Sequence, residues 1–197
     1  MPSLSSKYQV IYADPPWPPP GGFAPNASYA SHYHYPCMKV KDICSIPVKS
    51  VIADNAAIFL WSTYRDLPSA INEVLPAWGF SYKTVAFQWL KLTSKGNPVK
   101  VMGYYFFNST EICLFGVRGK LSGIHAGLST KVDSLIMEER IRHSQKPKEA
   151  AARIERLFPK ARKLEMFARS PRPGWDVWGN EVECSSKTRI LNSGAKP

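Results

Sequence analysis

Asp14 heads the tetrapeptide Asp14-Pro15-Pro16-Trp17, which directly follows the apolar run of residues 8–13. A carboxylate, two stiff prolyl carbonyls and an indole in four consecutive positions suit the alkylation of an exocyclic amine on a nucleobase. Such an amine is a weak nucleophile because its lone pair is delocalised into the ring. A carboxylate is also far too weak a base to deprotonate it outright. Two acceptors aimed at its two hydrogens help instead, by letting the nitrogen become tetrahedral as it attacks. Asp14 can be one acceptor and the Pro15 carbonyl the other, both fixed before the reaction. Trp17 offers a flat face on which an extruded base could stack. Residues 15–20, PPWPPP, could instead be a polyproline ligand for an SH3 or WW partner, a competing reading that the strand-end position of Asp14 disfavours.

The elements on either side must place this group. Tyr8, Val10, Ile11 and Tyr12 suit a strand, and a proline pair that cannot donate to a ladder should end it at Ala13. The carboxyl end of a strand is where ligands bind in open α/β sheets. Residues 18–36, rich in Pro, Gly, Ala, Ser and Tyr, read as a long loop whose Tyr29, Tyr33 and Tyr35 could gate the substrate. A short helix over 39–45 should stop at Ile46-Pro47. The apolar residues 57–63, AIFLWST, predict a parallel strand covered on both faces. Asp66 should cap a helix from Leu67 carrying Ile71, Val74, Leu75 and Trp78 on one face, with Pro76 a fault inside it and Gly79 its end.

Residues 80–90 read as another strand, with Trp89 and Lys91 near its end and a turn over 93–100. Glu111 stands at the mouth of a strand over 112–117, as either an acceptor behind the site or a solvated carboxylate. Residues 119–142 form a polar connection whose Lys131, Arg140 and Arg142 are candidates for substrate contacts. A helix over 147–158 has Ala150, Ala151, Ile154, Leu157 and Phe158 as its apolar stripe. Lys146, beside its N-terminus, is a station for a carboxylate, since ammonium and helix dipole act together. A strand over 163–168 and a shorter one over 175–179 complete a single domain of residues 1–182. The tail 183–197 has no pattern and is expected to be disordered.

Charge narrows the partner. Among 197 residues, 26 Lys and Arg against 15 Asp and Glu give a net +11, and the sequence pI is near 9.6. A polyanion is the expected partner, nucleic acid ahead of a membrane surface. The four cysteines show no CxxC spacing, and His32, His34 and Cys37 match no metal-site rhythm, so no metal is expected. Reduced thiols and a cytoplasmic setting follow from that usage. No internal repeat and no stretch of bilayer-spanning length is present.

Taken in order, ADPPW, FLWST, the W-x-K of residues 89–91, NSTE before a strand, HSQKP before a helix, KLEMFAR and GWDVWGNE resemble the DPPW-type adenine-N6 methyltransferases across residues 8–181. The resemblance implies a Rossmann-like α/β sheet in permuted order, catalytic motif first and cofactor strand late, with S-adenosylmethionine as cofactor. It implies catalysis by Asp14, Pro15, Pro16 and Trp17, with Asp14 also near the amino group of the cofactor's methionine. It gives Lys146 the cofactor carboxylate, Glu165 and Arg169 its ribose, and Asn180 and Glu181 its ribose and adenine end, with Phe167 in the same segment. With the reading of the residues themselves, the expected substrate contacts are Trp17, Tyr33, Tyr35, Lys91, Lys131, Arg140 and Arg142. DNA is the expected substrate, with RNA or a catalytically silent nucleic-acid-binding role as alternatives.

Overall fold

The sheet grows outward from the strand that carries the Asp14 motif. In the computed structural model, which describes residues 7–18, 37–102, 105–127, 130–140, 145–184, 188 and 191–192, β1 (Tyr8–Ala13) pairs in parallel with β2 (Ile52–Ser62) on one side and β6 (Lys163–Met166) on the other. The full order is β5-β3-β4-β2-β1-β6-β7, where β3 is Ser81–Leu92, β4 Thr110–Arg118, β5 Leu135–Glu139 and β7 Asp176–Trp178. Only β4 runs against its neighbours. It is antiparallel to both β2 and β3, while β5 and β7 are parallel to β3 and β6. The carboxyl ends of six strands and the amino end of β4 therefore share one edge.

Alternation along the two central strands splits the core into two layers. Ile11 and Ala13 of β1, with Ile58 and Leu60 of β2, face α1 (Val40–Ser45) and the helical segment after β2. Val10 and Tyr12, with Ala57, Phe59 and Trp61, face the stripe Ala150, Ala151 and Ile154 of α4 (Lys148–Leu157). Both faces being covered explains the nearly unbroken apolar reading of β2. Apolar burial on two sides of β1 also holds the start of the Asp14 motif still.

The helix after β2 keeps its place but not its regularity. It begins as α2 (Leu67–Ser69), widens into a π segment over Ala70–Val74 and ends as α3 (Leu75–Ala77). Pro76 has no N–H and its ring would collide with a normal α turn, and the wider turn before it relieves that conflict. Gly79, at φ +85°, stops the helix as expected, with its N–H on the Pro76 carbonyl. Asp66 precedes the helix but does not cap it with its side chain. Its carboxylate instead accepts from Thr63 Oγ1 at 2.5 Å and from Arg65.

Two further expectations change. The connection over 119–142 contains β5, whose Ile136 is fully buried beside β3. In the tail, Leu191 and Thr188 are buried and Asn192 accepts the indole N–H of Trp178 at 2.9 Å, so these described residues are docked on β7. No helix among the described residues is long and apolar enough to cross a membrane.

Candidate active site

Four charges alternate across the shared edge of the sheet. Asp14 follows β1, Lys146 precedes α4, Glu111 lies at the amino end of β4, and Lys91 lies near the carboxyl end of β3. Lys146 Nζ is 2.6 Å from Asp14 Oδ2 and 3.2 Å from Glu111 Oε2, and Lys91 Nζ is 2.5 Å from Glu111 Oε1. The four formal charges cancel within the chain. Side-chain exposure grades outward, from 10% at Lys146 to 25% at Asp14. Asp14 is thus the open end, with the other three behind it.

Physical environment separates the two carboxylates. Burial pushes the Asp14 carboxyl above its ordinary range, with Glu111 adding to the effect and Lys146 opposing it. Burial acts on Glu111 in the same sense, but Lys146 and Lys91 outweigh it and bring its pKa down to about 2. Burial would lower the Lys146 pKa, yet Asp14 and Glu111 together raise it, so it stays an ammonium. Its ammonium also lies 5.7 Å from the centre of the Trp61 ring. The Trp61 N–H in turn reaches the buried Tyr12 hydroxyl at 2.9 Å, which fixes that ring from below.

The proline motif is held as tightly as its charge. The Pro15 carbonyl accepts the Trp17 N–H at 2.9 Å, and the Pro16 carbonyl accepts the Met38 N–H at 2.8 Å. Each carbonyl keeps one lone pair beyond these bonds. Trp17 departs from the expected open stacking face. Its indole N–H donates to the Trp61 carbonyl at 3.0 Å and the residue is only 8% exposed, within the apolar layer that faces α1. It therefore braces the motif, and too little of its face is open for a base to lie on. A second brace is Arg65, whose guanidinium reaches the Pro18 carbonyl and the Asp66 carboxylate.

Lys91 needs the same kind of correction. It is buried in its ion pair with Glu111, and a cation desolvated behind the site does not meet a substrate backbone. Lys131 and Arg140 are exposed on either side of β5, as a nucleic-acid contact requires. Tyr33, Tyr35 and Arg142 lie outside the described residues, as do all but Pro18 of the gate expected over 18–36.

The far side of the edge, after β6 and β7, carries the other residues singled out from the sequence. Glu165 is gripped by Arg172 through two bonds of 2.6 and 3.3 Å. Arg169 and Glu181 are exposed and 3.7 Å apart, and Asn180 is exposed beside them. Phe167 has φ +61°, a conformation that a bulky residue adopts only where its surroundings impose it. Its ring packs on Trp78 and Trp178, so the side chain belongs to the core, and only its main chain turns at the strand end. Neither the Arg172–Glu165 pair nor the Lys91–Glu111 pair was read from the sequence. The spacing W-x-K before N-S-T-E was the available signal, because antiparallel pairing sets Trp89 opposite Glu111.

A protein-family model described as MT-A70 matches residues 8–181. The chain is 36% identical over 205 aligned residues to the type II methyltransferase M.MunI of Mycoplasma sp, covering 95% of this chain and 83% of that protein. It is 30% identical to the N(6)-adenosine-methyltransferase catalytic subunit METTL3 of Homo sapiens, covering 92% of this chain but 29% of the relative. The MT-A70-like N(6)-adenosine-methyltransferase of Arabidopsis thaliana is 28% identical, again over 96% of this chain and a quarter of the relative.

Proposed function

The chain belongs to the MT-A70 family, and on that basis we propose that it transfers the methyl group of S-adenosylmethionine to the N6 amine of adenine in nucleic acid, with DNA as the preferred polymer. The single observation that carries the mechanism is the Asp14–Lys146 pair, 2.6 Å apart at the carboxyl edge of the sheet. A carboxylate beside an ammonium is the complement of a zwitterionic amino acid. This donor set fits the methionine end of S-adenosylmethionine, with Lys146 for its carboxylate and Asp14 for its ammonium. The exposed hydrogen-bonding side chains of Asn180, Glu181 and Arg169 suit the hydroxyls and ring of its nucleoside end.

When bound, S-adenosylmethionine supplies an electrophilic methyl group on a sulfonium. The work of the protein is to present the amine. Asp14 accepts one hydrogen of the amine and the free lone pair of the Pro15 carbonyl accepts the other, which lets the nitrogen leave the plane of the ring as it attacks. Both acceptors are fixed in advance, Asp14 by Lys146 and Pro15 by the Trp17 N–H. Methyl transfer would exchange the methyl–sulfur bond for a C–N bond, leaving the cofactor as a neutral thioether and a surplus proton on the amine. Asp14, whose proton affinity burial raises, would receive it. Glu111 keeps Lys146 charged, so the ammonium remains available for the cofactor carboxylate.

DNA is preferred in this proposal because the chain is nearly coextensive with the type II methyltransferase but spans under a third of the adenosine methyltransferases. The test is methyl transfer from S-adenosylmethionine to DNA and RNA pools, followed by mapping of the modified base. N6-methyladenine in DNA is the expected product, and Asp14→Asn should reduce the rate about a hundredfold or more. Methylation confined to another base overturns the proposal, as does Asp14→Asn retaining more than about a tenth of the rate.

A further inference from the structure

Between Lys91 and Glu111, two members of the charged chain, the polypeptide leaves the sheet and returns. The excursion is an ordered hairpin base: Lys91 N–H bonds to the Ser109 carbonyl at 2.9 Å, Val99 N–H to the Lys91 carbonyl at 2.8 Å, and Val101 pairs with Asn108. Its outer end shows an apolar surface uncommon on a soluble protein. Tyr105 is 83% exposed and Phe106 80%, with Met102 and Phe107 also in the open. Single exposed aromatics need no explanation, but four exposed large apolar side chains within six residues of one hairpin do. Residues 92–110 contain Lys95 and Lys100 and no acidic residue, and the Lys100 ammonium sits 5.9 Å from the centre of the Phe107 ring. Tyr64, itself exposed, joins the root of the hairpin through a 2.7 Å hydrogen bond between its hydroxyl and Thr110 Oγ1.

We propose that this aromatic tip is a stacking surface for unpaired nucleobases flanking the target adenine. The inference rests on the proposed methyl transfer to nucleic acid and adds the surface that reads the strand. Charge favours a nucleic acid over a protein here, since the tip's only charged groups are lysines and the whole chain carries +11. Aromatic faces interleaved with cations are the arrangement that binds single strands, the rings holding bases and the ammoniums holding phosphates. Position favours it as well, because the root of the tip is continuous with the residues that contact Asp14 through Lys146. Trp17, the stacking candidate read from the sequence, is buried, so the open aromatic faces near this edge are those of the tip.

The test compares binding of a fluorescent single-stranded oligonucleotide with a strand of the same length made of abasic residues, by anisotropy. The wild-type chain should prefer the base-bearing strand. Tyr105→Ala/Phe106→Ala should weaken that strand by at least about fivefold per lost stacked base and leave the abasic strand unchanged. Because no charge is removed, the dependence of log K on log salt should keep its slope. Phe106→Leu keeps apolar area without a π face and should lose most of the preference, whereas Phe106→Trp should retain it. Both replaced side chains are exposed, and a thermal melt within a few degrees of wild type verifies the fold.

An unchanged preference in the alanine variant overturns the proposal. So does light scattering that shows a wild-type dimer broken by the substitutions while base binding persists, which would make the tip a self-association surface. A wild-type chain that prefers bases but methylates no nucleic acid refutes the methyl-transfer reading and leaves the tip upheld.

Discussion

Replacing Glu111 by Gln removes one negative charge from a neutral, largely buried chain of four and leaves the volume unchanged. Glu111 lies 2.5 Å from Lys91 and 3.2 Å from Lys146, and the two ammoniums hold its pKa at about 2 against an ordinary 4.5. The difference of about 2.5 pH units corresponds to roughly 3 kcal/mol at about 1.4 kcal/mol per unit. That agrees with the approximately 3–5 kcal/mol lost when one partner of a buried pair is removed. The sign is fixed by the direction of the shift. A depressed carboxyl contributes stability that is fully present above its unfolded pKa, near 4.5, and is lost as pH falls through about 2. Urea unfolding of both proteins from pH 7 to pH 2.5 should show a gap of a few kcal/mol at pH 7 that narrows steadily below pH 4.5. Asp14 is shifted upward and acts in the opposite sense, so the comparison rests on the difference between the two proteins. Parallel curves across the whole range would show that Glu111 has no stabilising pair, and the reasoning about the charged chain would fail.

The remaining expectations concern binding and the motif itself. Lys146→Ala should weaken S-adenosylmethionine by one to two decades in calorimetry, the worth of a charge-assisted contact, while nucleic-acid affinity holds; equal losses in both would remove its assignment to the cofactor. Lys131→Ala combined with Arg140→Ala should flatten the salt dependence of duplex binding by about 1.8 in the log–log slope if each meets a phosphate, and an unchanged slope would clear that surface of contacts. Trp17→Ala should lower stability by about 3–5 kcal/mol, as expected of a buried aromatic, and should do so without nucleic acid present; a fully stable variant defective only in base binding would restore the open-platform reading.

The parts of the fold that could be read from the sequence are those where local chemistry and global packing agree. The strand before Asp14, the proline stop, the stripe of α4 and the apolar run in β2 each carry one unambiguous signal. β5 was missed because an edge strand exposes Leu135 and Met137 and buries Ile136, leaving too little alternation among the surrounding charges. The docking of Leu191 and Asn192 could not be read for a similar reason, since a lone apolar residue and a single acceptor have no period. Within the site, the motif and the helix start singled out Asp14 and Lys146, which the fold brings to 2.6 Å, but local sequence could not show whether an indole or an ammonium lies beneath the surface or upon it. Trp17 and Lys91 are both at motif positions, and both are buried by long-range partners, the Trp61 carbonyl and the Glu111 carboxylate.

The position of Glu111 depends on a feature of topology that no local pattern encodes. In a sheet with every strand parallel, residues at the amino ends lie on the edge away from the ligand, and a carboxylate there could not reach Lys146. Because β4 is inserted antiparallel between β2 and β3, its amino end lies with the carboxyl ends of its neighbours. The hairpin from β3 to β4 then delivers Lys91 and Glu111 to the ligand edge as a ready pair, and the register that sets Trp89 opposite Glu111 fixes their approach. One reversed strand accordingly does two things at this edge. It supplies the carboxylate that balances the buried ammoniums of Lys91 and Lys146, and it sends the exposed aromatic tip out from the same edge. Shifting β4 by one residue would turn the Glu111 side chain to the other face of the sheet. Lys146 and Lys91 would then share a buried site with Asp14 alone, so the strand's register and the charge balance of the site are parts of one constraint.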